Sequence, residues 1–272
     1  MKHRSRQLQV KQATIIFAVI CYVTVHPTAH SKDKSPAPTE TAAVAFDQGG
    51  KFKMLYDCRQ RPQSVLLHHR LYIVYNADAH PTQNSKGSAY PMIITYDIQR
   101  RRFSKPARLG RKRSSDHHFS PIIWADEDDY LHVLFGCHKT PGTHLVSAHP
   151  AKPGPPEVAW LEAPQIAPKL SYPTVYGIHG NRELIYYRTD GHTSSWTYRI
   201  SDDNGRTWVG PEHNVTDLDS KGRLDWSSYQ TKVPSKDGKH LHVVYTDYDD
   251  NKNSPDPHRF FNPRYNQGVS NE

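Results

Sequence analysis

The amino-acid sequence predicts an all-β protein, a β-propeller whose blades are four-stranded antiparallel sheets, and three observations carry this prediction. The first is a short run of β-branched and aromatic residues that occurs four times. Its copies at 71–75, 131–135, 183–187 and 241–245 begin 60, 52 and 58 residues apart. A β-rich unit that recurs at such a spacing, with no helical unit between its copies, is typical of propeller blades.

The second observation is that strand-like segments bounded by turn residues follow one another through residues 50–250, with no convincing amphipathic helix among them. Four copies of the repeated run predict about four blades in this chain. We expect strands at 64–75 and 91–98, an outer-edge excursion at 103–110, and hairpins that join 121–124 to 130–136, 172–177 to 183–188, and 231–234 to 240–246.

The third observation is the segment 201–208, Ser-Asp-Asp-Asn-Gly-Arg-Thr-Trp, which fits the Asp-box pattern S-x-D-x-G-x-T-W. In such a segment the carboxylate accepts backbone hydrogen bonds, the glycine permits a positive φ, and the tryptophan packs into the blade. The pattern is a structural device, so it supports the fold and says little about function.

The chain divides into four parts by composition. Residues 1–31 resemble a signal peptide, because basic residues precede an apolar run at 13–25 that is too short to span a membrane comfortably. Residues 32–49 read as a flexible linker, 50–250 as the propeller domain, and 251–272 as a polar tail. We therefore expect a secreted or periplasmic protein with no membrane attachment after signal removal.

The charge balance is basic, with 35 Lys and Arg against 27 Asp and Glu and a net charge of +8. Two interpretations stay open: an ordinary soluble basic protein, or one that is attracted to a polyanion. The basic segment 100–113 could grip sulfates or be a solvated blade rim. The predicted export signal argues against nucleic acid as the partner.

Neither a cofactor nor a metal site is predicted, because the histidines are scattered and no paired cysteine spacing occurs. A structural metal ion stays open. Cys58 and Cys137 follow the signal segment, and the sequence allows either a disulfide between them or a free buried thiol at Cys137.

Candidate functional residues stand where predicted hairpins begin and end. His118 and His138 flank the first hairpin and Tyr172 and Arg188 the second, while Tyr229 opens the last. Because a hairpin brings its ends together, we expect each pair to lie side by side on one face. The alternative is a packing role for the histidines and tyrosines and a salt bridge for Arg188.

Two histidines, a tyrosine and an arginine near a polyanion suit the eliminative cleavage of a uronic-acid polymer. A cation must neutralise the uronate carboxylate and stabilise the enolate-like intermediate, and arginine is an always-charged, bidentate partner for it. A histidine or tyrosine then removes the C5 proton, and a second group protonates the leaving O4.

The chain carries Asp-His-His-Phe-Ser-Pro at 116–121, Tyr-Leu-His-Val-Leu-Phe-Gly-Cys-His at 130–138, Ser-Tyr-Pro at 171–173, Tyr-Tyr-Arg at 186–188 and the Asp-box. Together these motifs resemble the BNR-4 repeat proteins and the ulvan lyases among them. The resemblance implies a seven-bladed β-propeller and β-elimination of ulvan, a sulfated polysaccharide of green algae. Since only about four blades are predicted here, the chain would form either an unusually small or unclosed propeller or a C-terminally truncated one.

The resemblance also implies roles for the five candidates. His118 would be the base, Tyr172 the acid or co-catalyst and Arg188 the neutraliser, while His138 and Tyr229 would bind or orient the substrate. His117 is a competing choice for the base, because the double histidine leaves the register open by one residue.

Two other functions share the propeller fold. A sialidase-type glycoside hydrolase would need three arginines around a carboxylate and a Tyr/Glu nucleophile pair, and no Arg-Ile-Pro signature opens the domain. A non-catalytic carbohydrate-binding propeller, or an inactive truncated remnant, would use the histidines for packing and the tyrosines to stack on sugar rings.

Overall fold

Antiparallel β-strands make up the regular structure of the computed structural model, and this confirms the predicted all-β fold. The structure describes residues 61–78, 89–111, 117–151, 158–178, 181–191, 194–211, 215 and 226–249. Within these ranges the sole helical element is a 3-10 turn, His117–Phe119, and no helix could cross a membrane. The predicted signal peptide, linker and polar tail lie outside the described residues.

The described strands fall into four sheets, each of which corresponds to one copy of the repeated run. The strands are β1 (Ser64–Leu67), β2 (Arg70–Asp78), β3 (Ala89–Asp97), β4 (Arg102–Phe103), β5 (Ala107–Arg108), β6 (Ile122–Ala125), β7 (Leu131–Phe135), β8 (His138–Thr140), β9 (Thr143–Ser147), β10 (Trp160–Glu162), β11 (Leu170–Gly177), β12 (Glu183–Arg188), β13 (Trp196–Ser201), β14 (Trp226–Pro234) and β15 (Leu241–Asp249). The four copies lie in β2, β7, β12 and β15, one strand in each sheet, so the spacing of the runs is the spacing of the sheets.

The first sheet has the order β1-β2-β3-β4 with β5 also on β3, and the second has the order β6-β7-β9-β10. The third has the order β8-β11-β12-β13, and β14 pairs with β15 in the last. The strand predicted at 64–75 is in fact two strands, because His68 and His69 both adopt positive φ values (47° and 65°) and turn the chain back.

Strand β8 departs from a simple succession of hairpins. After β7 the chain crosses to the neighbouring sheet, pairs with β11 as β8, and then returns to the second sheet as β9. Gly136 (φ 76°) and Gly142 (φ 70°) bound this excursion with backbone conformations that favour glycine. A Cβ on Gly142 would lie 2.3 Å from Cys137 Sγ, so the return turn has no room for a side chain.

Apolar side chains fill the space between neighbouring sheets. Along β6, Ile122 and Trp124 pack toward the third sheet while Ile123 packs toward the first, as the two-residue period of a strand requires. Both faces of β6 and β7 are therefore buried, which explains why these strands read as continuous apolar runs rather than as alternating ones.

The 201–208 segment forms a tight turn whose hydrogen bonds follow from its composition. Asp203 accepts bonds from Thr207 at both carboxylate oxygens, 2.8 Å from the backbone N and 2.7 Å from Oγ1. Asn204 and Gly205 have φ values of 56° and 74°, and the Trp208 indole N–H donates to the Gly205 carbonyl at 3.1 Å. This turn ends the third sheet and packs against the second.

Candidate active site

The rings of His118 and His138 stack at one end of the second and third sheets. Their centroids are 4.3 Å apart, with planes inclined by 22°. His118 comes from the 3-10 turn before β6, and His138 is the first residue of β8. The hairpin argument thus predicted the right neighbours, but His138 reaches its place through the crossing strand rather than at the end of β7.

The third sheet positions a row of side chains across its four strands. His138 pairs with Ser171, Ser171 with Arg188, and Arg188 with Trp196. Because directly opposed residues on antiparallel strands share a face, the row sets an imidazole, a guanidinium and an indole side by side.

Tyr172 enters this row through a break in the strand pairing. The register of β11 shifts between Ser171 and Thr174, and Tyr172 has a φ of 55°, in the left-handed region that a bulky side chain rarely adopts. Such a conformation costs on the order of 1–3 kcal/mol and is concentrated at functional sites. The bulge turns the phenol ring toward His118, with the two ring centroids 5.4 Å apart in an edge-on arrangement.

Arg188 is fully buried among aromatic rings. Its guanidinium carbon lies 4.6 Å from the Tyr172 ring centroid and 5.6 Å from that of Tyr229, which β14 contributes from the last sheet. Among the described residues, no acceptor hydrogen-bonds to Nε, Nη1 or Nη2. A buried charge without a hydrogen-bonded partner costs several kcal/mol, and cation–π contacts offset only part of that cost. The group is therefore suited to receive an anion.

The five candidates thus form one cluster, which draws on three sheets. His118, His138 and Tyr229 are partly exposed, whereas Tyr172 and Arg188 have no exposed surface. A ligand would accordingly meet the three outer rings first. Within the described residues no group of three His, Cys, Asp or Glu side chains is arranged to hold a metal ion.

Two other sequence expectations concern neighbours of this cluster. Cys137 is a free thiol that faces away from the histidines into the core between the second and third sheets, and burial raises the pKa of its thiol. Cys58 and the side chain of His117 lie outside the described residues, so the choice between His117 and His118 stays a prediction.

Comparison with known proteins places the chain in a family. A family model described as "BNR repeat-containing family member" matches residues 92–260, which is more than half of the chain. The chain belongs to the BNR repeat-containing family.

Two curated relatives of this BNR repeat-containing protein are ulvan lyases. It is 25% identical to the ulvan lyase of Alteromonas sp. (strain LOR) over 255 residues, 86% of this chain and 50% of that protein. To the ulvan lyase of Pseudoalteromonas sp. (strain PLSV) it is 26% identical over 237 residues, 79% of this chain and 46% of that protein. The chain spans about half the length of the curated relatives it matches.

Solved structures give the same picture of the fold. A PL25 ulvan lyase bound to -[GlcA(1-4)Rha3S]- superposes with a TM-score of 0.58 at 21% identity, over 75% of this chain and 48% of that one. The polysaccharide lyase Uly1 superposes with a TM-score of 0.51 at 11% identity, over 75% of this chain and 52% of that one. These similarities confirm the predicted fold class of the BNR repeat-containing chain.

Sequence reasoning missed two features of the site region. Trp196 was not among the predicted site residues, yet its ring is stacked on Tyr172 (centroids 6.3 Å apart) and lies 5.9 Å from the Arg188 guanidinium carbon. A pairing of Arg188 with Trp196 depends on the register of β12 and β13, and single-sequence patterns do not reveal it.

The second missed feature is another histidine pair, which is buried and lies on β7 and β9 of the second sheet. His132 Nδ1 lies 3.1 Å from His144 Nε2, and His132 Nε2 lies 3.3 Å from the Asp126 carboxylate. The Trp124 ring stacks on both imidazoles. Glu183 is buried beside them, and desolvation raises its pKa to about 7 against the opposing influence of His132.

Proposed function

We propose that this protein is a polysaccharide lyase that cleaves an acidic, uronate-containing polysaccharide by β-elimination. The observation that carries the proposal is the buried Arg188 guanidinium, which lies beside Tyr172 and has no hydrogen-bond acceptor among the described residues. A uronate carboxylate would supply a bidentate acceptor and compensate that charge. The ulvan lyases among the relatives support the same class of substrate.

In the proposed mechanism each of three side chains has one task. Arg188 holds the uronate carboxylate and stabilises the negative charge that develops when the C5 proton leaves. His118, as a neutral imidazole, accepts that proton through a ring nitrogen. The electron pair of the C5–H bond forms the C4–C5 double bond, the C4–O4 bond breaks, and the Tyr172 hydroxyl protonates the departing oxygen.

His138 and Tyr229 would bind and orient the sugar. His138 stacks on His118 and fixes its ring plane, and Tyr229 borders the Arg188 guanidinium from the neighbouring sheet. His117 remains the competing base, because it precedes His118 in the same turn. We propose further that the substrate is a sulfated, ulvan-type polymer and that residues 1–31 direct export of the protein.

A non-catalytic carbohydrate-binding propeller is the second candidate function. The complete burial of Tyr172 and Arg188 favours it, since both side chains would then serve as interior packing beneath a sugar-binding surface formed by the outer rings. Its ligand would bind without any bond being broken.

An ultraviolet absorbance assay distinguishes the lyase from the non-catalytic binding protein. The purified protein is mixed with ulvan and other polyuronates, and the absorbance of the unsaturated uronate is followed. A lyase produces a rising trace, and Arg188→Ala lowers its slope by about 10²–10³-fold because an electrostatic stabiliser of the transition state is lost. Arg199→Ala is the matched control, because Arg199 lies in the same sheet but donates to the Tyr187 hydroxyl instead. A flat trace from folded protein that still binds the polymer would favour the non-catalytic function.

A further inference from the structure

A row of exposed cations follows the outer edge of the first sheet. The basic edge, as we name it, lies on strands β4 and β5, on the turn before β4 and on the segments that join and follow the two strands. Within described residues 98–111 no acidic side chain accompanies these cations. The basic edge consists of Arg100, Arg101, Arg102, Lys105, Arg108 and Arg111, all of which are exposed.

The charge of the basic edge is largely uncompensated. Arg100 pairs with Asp97 at 3.5 Å, and in the described part of the chain the other five cations have no carboxylate partner. Elsewhere on the described surface, Lys169 pairs with Asp190 and Arg182 with Asp202. The basic edge therefore concentrates positive charge along one side of the first sheet.

The basic edge runs along the sheet toward the candidate active site. Arg102 pairs with Asp97 and Arg108 with Met92, so the two ends are separated by about 17 Å along β3. Beyond Arg108, the Leu109 backbone N–H donates to the Pro91 carbonyl at 2.9 Å, which holds the end of the basic edge against β3.

A cavity of about 360 Å³ continues from that point. Pro91, Phe119 and Phe135 contribute to its lining, and Gly110, the neighbour of Arg111, lies against Phe135 and Pro91. The Phe119 ring also contacts His138, with ring centroids 6.2 Å apart. The cavity thus connects the end of the basic edge with the histidine pair, and no acidic residue is among the described residues that line it.

We propose that the basic edge is an accessory binding site for a sulfated or carboxylated polysaccharide chain whose distal part lies outside the active site. The proposal rests on the proposed function, since it extends the substrate of that site. A polymer of repeating anions can contact several cations at once, so the edge would raise its local concentration and its rate of association. A short oligosaccharide in the active site would not reach it.

The aromatic side chains of the basic edge argue for a polysaccharide rather than a nucleic acid. Single-stranded nucleic acids need aromatic platforms on which bases stack. Here the Tyr90 ring is covered by the Arg108 guanidinium at 4.1 Å, and Phe103 packs against Tyr96 with ring centroids 4.8 Å apart. Cations without available stacking surfaces suit sulfate and carboxylate groups.

The test compares two triple variants that lose the same charge. The basic-edge variant loses half of the cations of that edge, through Arg102→Gln, Lys105→Gln and Arg111→Gln. The control variant loses three exposed cations near turns of the third and fourth sheets, through Arg206→Gln, Lys236→Gln and Lys239→Gln. For the first variant we expect KM to rise about tenfold with polymeric ulvan and to stay constant with a tetrasaccharide, because only the polymer spans the edge. The control variant keeps both values.

A binding measurement keeps this proposal separate from the proposed chemistry. On immobilised dextran sulfate, the basic-edge variant should elute at lower salt than the wild type and the control variant, and it should do so in an Arg188→Ala background as well. If both triple variants eluted at equally lowered salt, the effect would come from net charge alone and the proposal would be overturned. Tighter binding to single-stranded DNA than to dextran sulfate, lost in the basic-edge variant alone, would overturn it in favour of a nucleic-acid partner.

Discussion

The second and third sheets carry two stacked histidine pairs that differ in their exposure to solvent. His118 and His138 are partly exposed and surrounded by aromatic rings and a buried guanidinium. His132 and His144 are buried, and their nitrogens reach each other, a carboxylate and the Pro164 carbonyl.

Hydrogen-bond geometry determines which ring nitrogens of the buried pair carry protons. The Pro164 carbonyl can only accept, so His144 Nδ1 donates to it and His144 Nε2 must accept from His132 Nδ1. Burial lowers the pKa of His144 to about 4, with the neighbouring His132 as a second cause, so His144 is neutral at pH 7. A histidine whose nitrogens are committed in this way stabilises the fold and is unable to shuttle protons. The comparison teaches that exposure, and not the stacking of rings, separates a histidine pair that a ligand can reach from one that is held inside the fold.

The largest expected effect comes from breaking the outer pair. His118→Ala should lower the cleavage rate by about 10²–10⁴-fold because it removes a general base, while thermal unfolding changes little since the ring is partly exposed. Initial rates on ulvan, together with a melting curve of the same sample, check the expectation. Full activity in this variant, combined with loss of activity in His117→Ala, would assign the base to His117.

Breaking the buried pair should have the converse effect. His132→Ala leaves the buried Asp126 carboxylate and His144 without their partner, so we expect a loss of about 2–4 kcal/mol in the free energy of unfolding. The rate per folded molecule should remain that of the wild type. Urea unfolding gives the first quantity, and a comparable rate loss in His132→Ala and His118→Ala would abolish the distinction between the pairs.

The pH dependence of stability sharpens the comparison with a smaller effect. The folded-state pKa of Glu183 is about 7 against an ordinary 4.5, so the contribution of Glu183 to stability is fully present below pH 4.5 and is lost as the pH rises through 7. The contribution of His144 to stability depends on pH in the opposite direction, because it is present above pH 6.5 and is lost as the pH falls through 4. Stability should therefore be greatest between about pH 5 and 6.5.

The Glu183→Gln variant isolates the carboxyl contribution. Between pH 5 and pH 8, the free energy of unfolding of this variant should rise by about 1–3 kcal/mol relative to that of the wild type, because a neutral amide bears no desolvation cost of ionisation. Urea unfolding at the two pH values measures the difference. A gap between variant and wild type that stays constant with pH would show that Glu183 does not titrate in the folded protein.

Local patterns in the sequence were sufficient to predict the blades. Each copy of the repeated run carries β-branched and aromatic residues between turn residues, and each became a strand of a different sheet because such side chains pack well on a pleated surface. The break at His68 and His69 was missed, since two adjacent positive φ values at non-glycine residues leave no mark in such a pattern.

The candidate site was predictable only in part. That His118 and His138 lie together followed from the hairpin between them, whereas the contribution of β8 to the third sheet depends on non-local pairing with Leu170 and Ser171. The meeting of Arg188 with Trp196, and the left-handed backbone of Tyr172, likewise depend on strand register and on a bulge that no single run of residues specifies.

The crossing strand β8 has a consequence for engineering by blade exchange. Repeat proteins are commonly recombined one unit at a time, on the assumption that each unit brings its own strands. Here a graft of the contiguous segment β11–β13 would leave β8, and with it His138, behind on the donor. A graft of the segment β6–β10 would carry β8 away from its partner β11. The smallest transplantable unit is therefore the two sheets together.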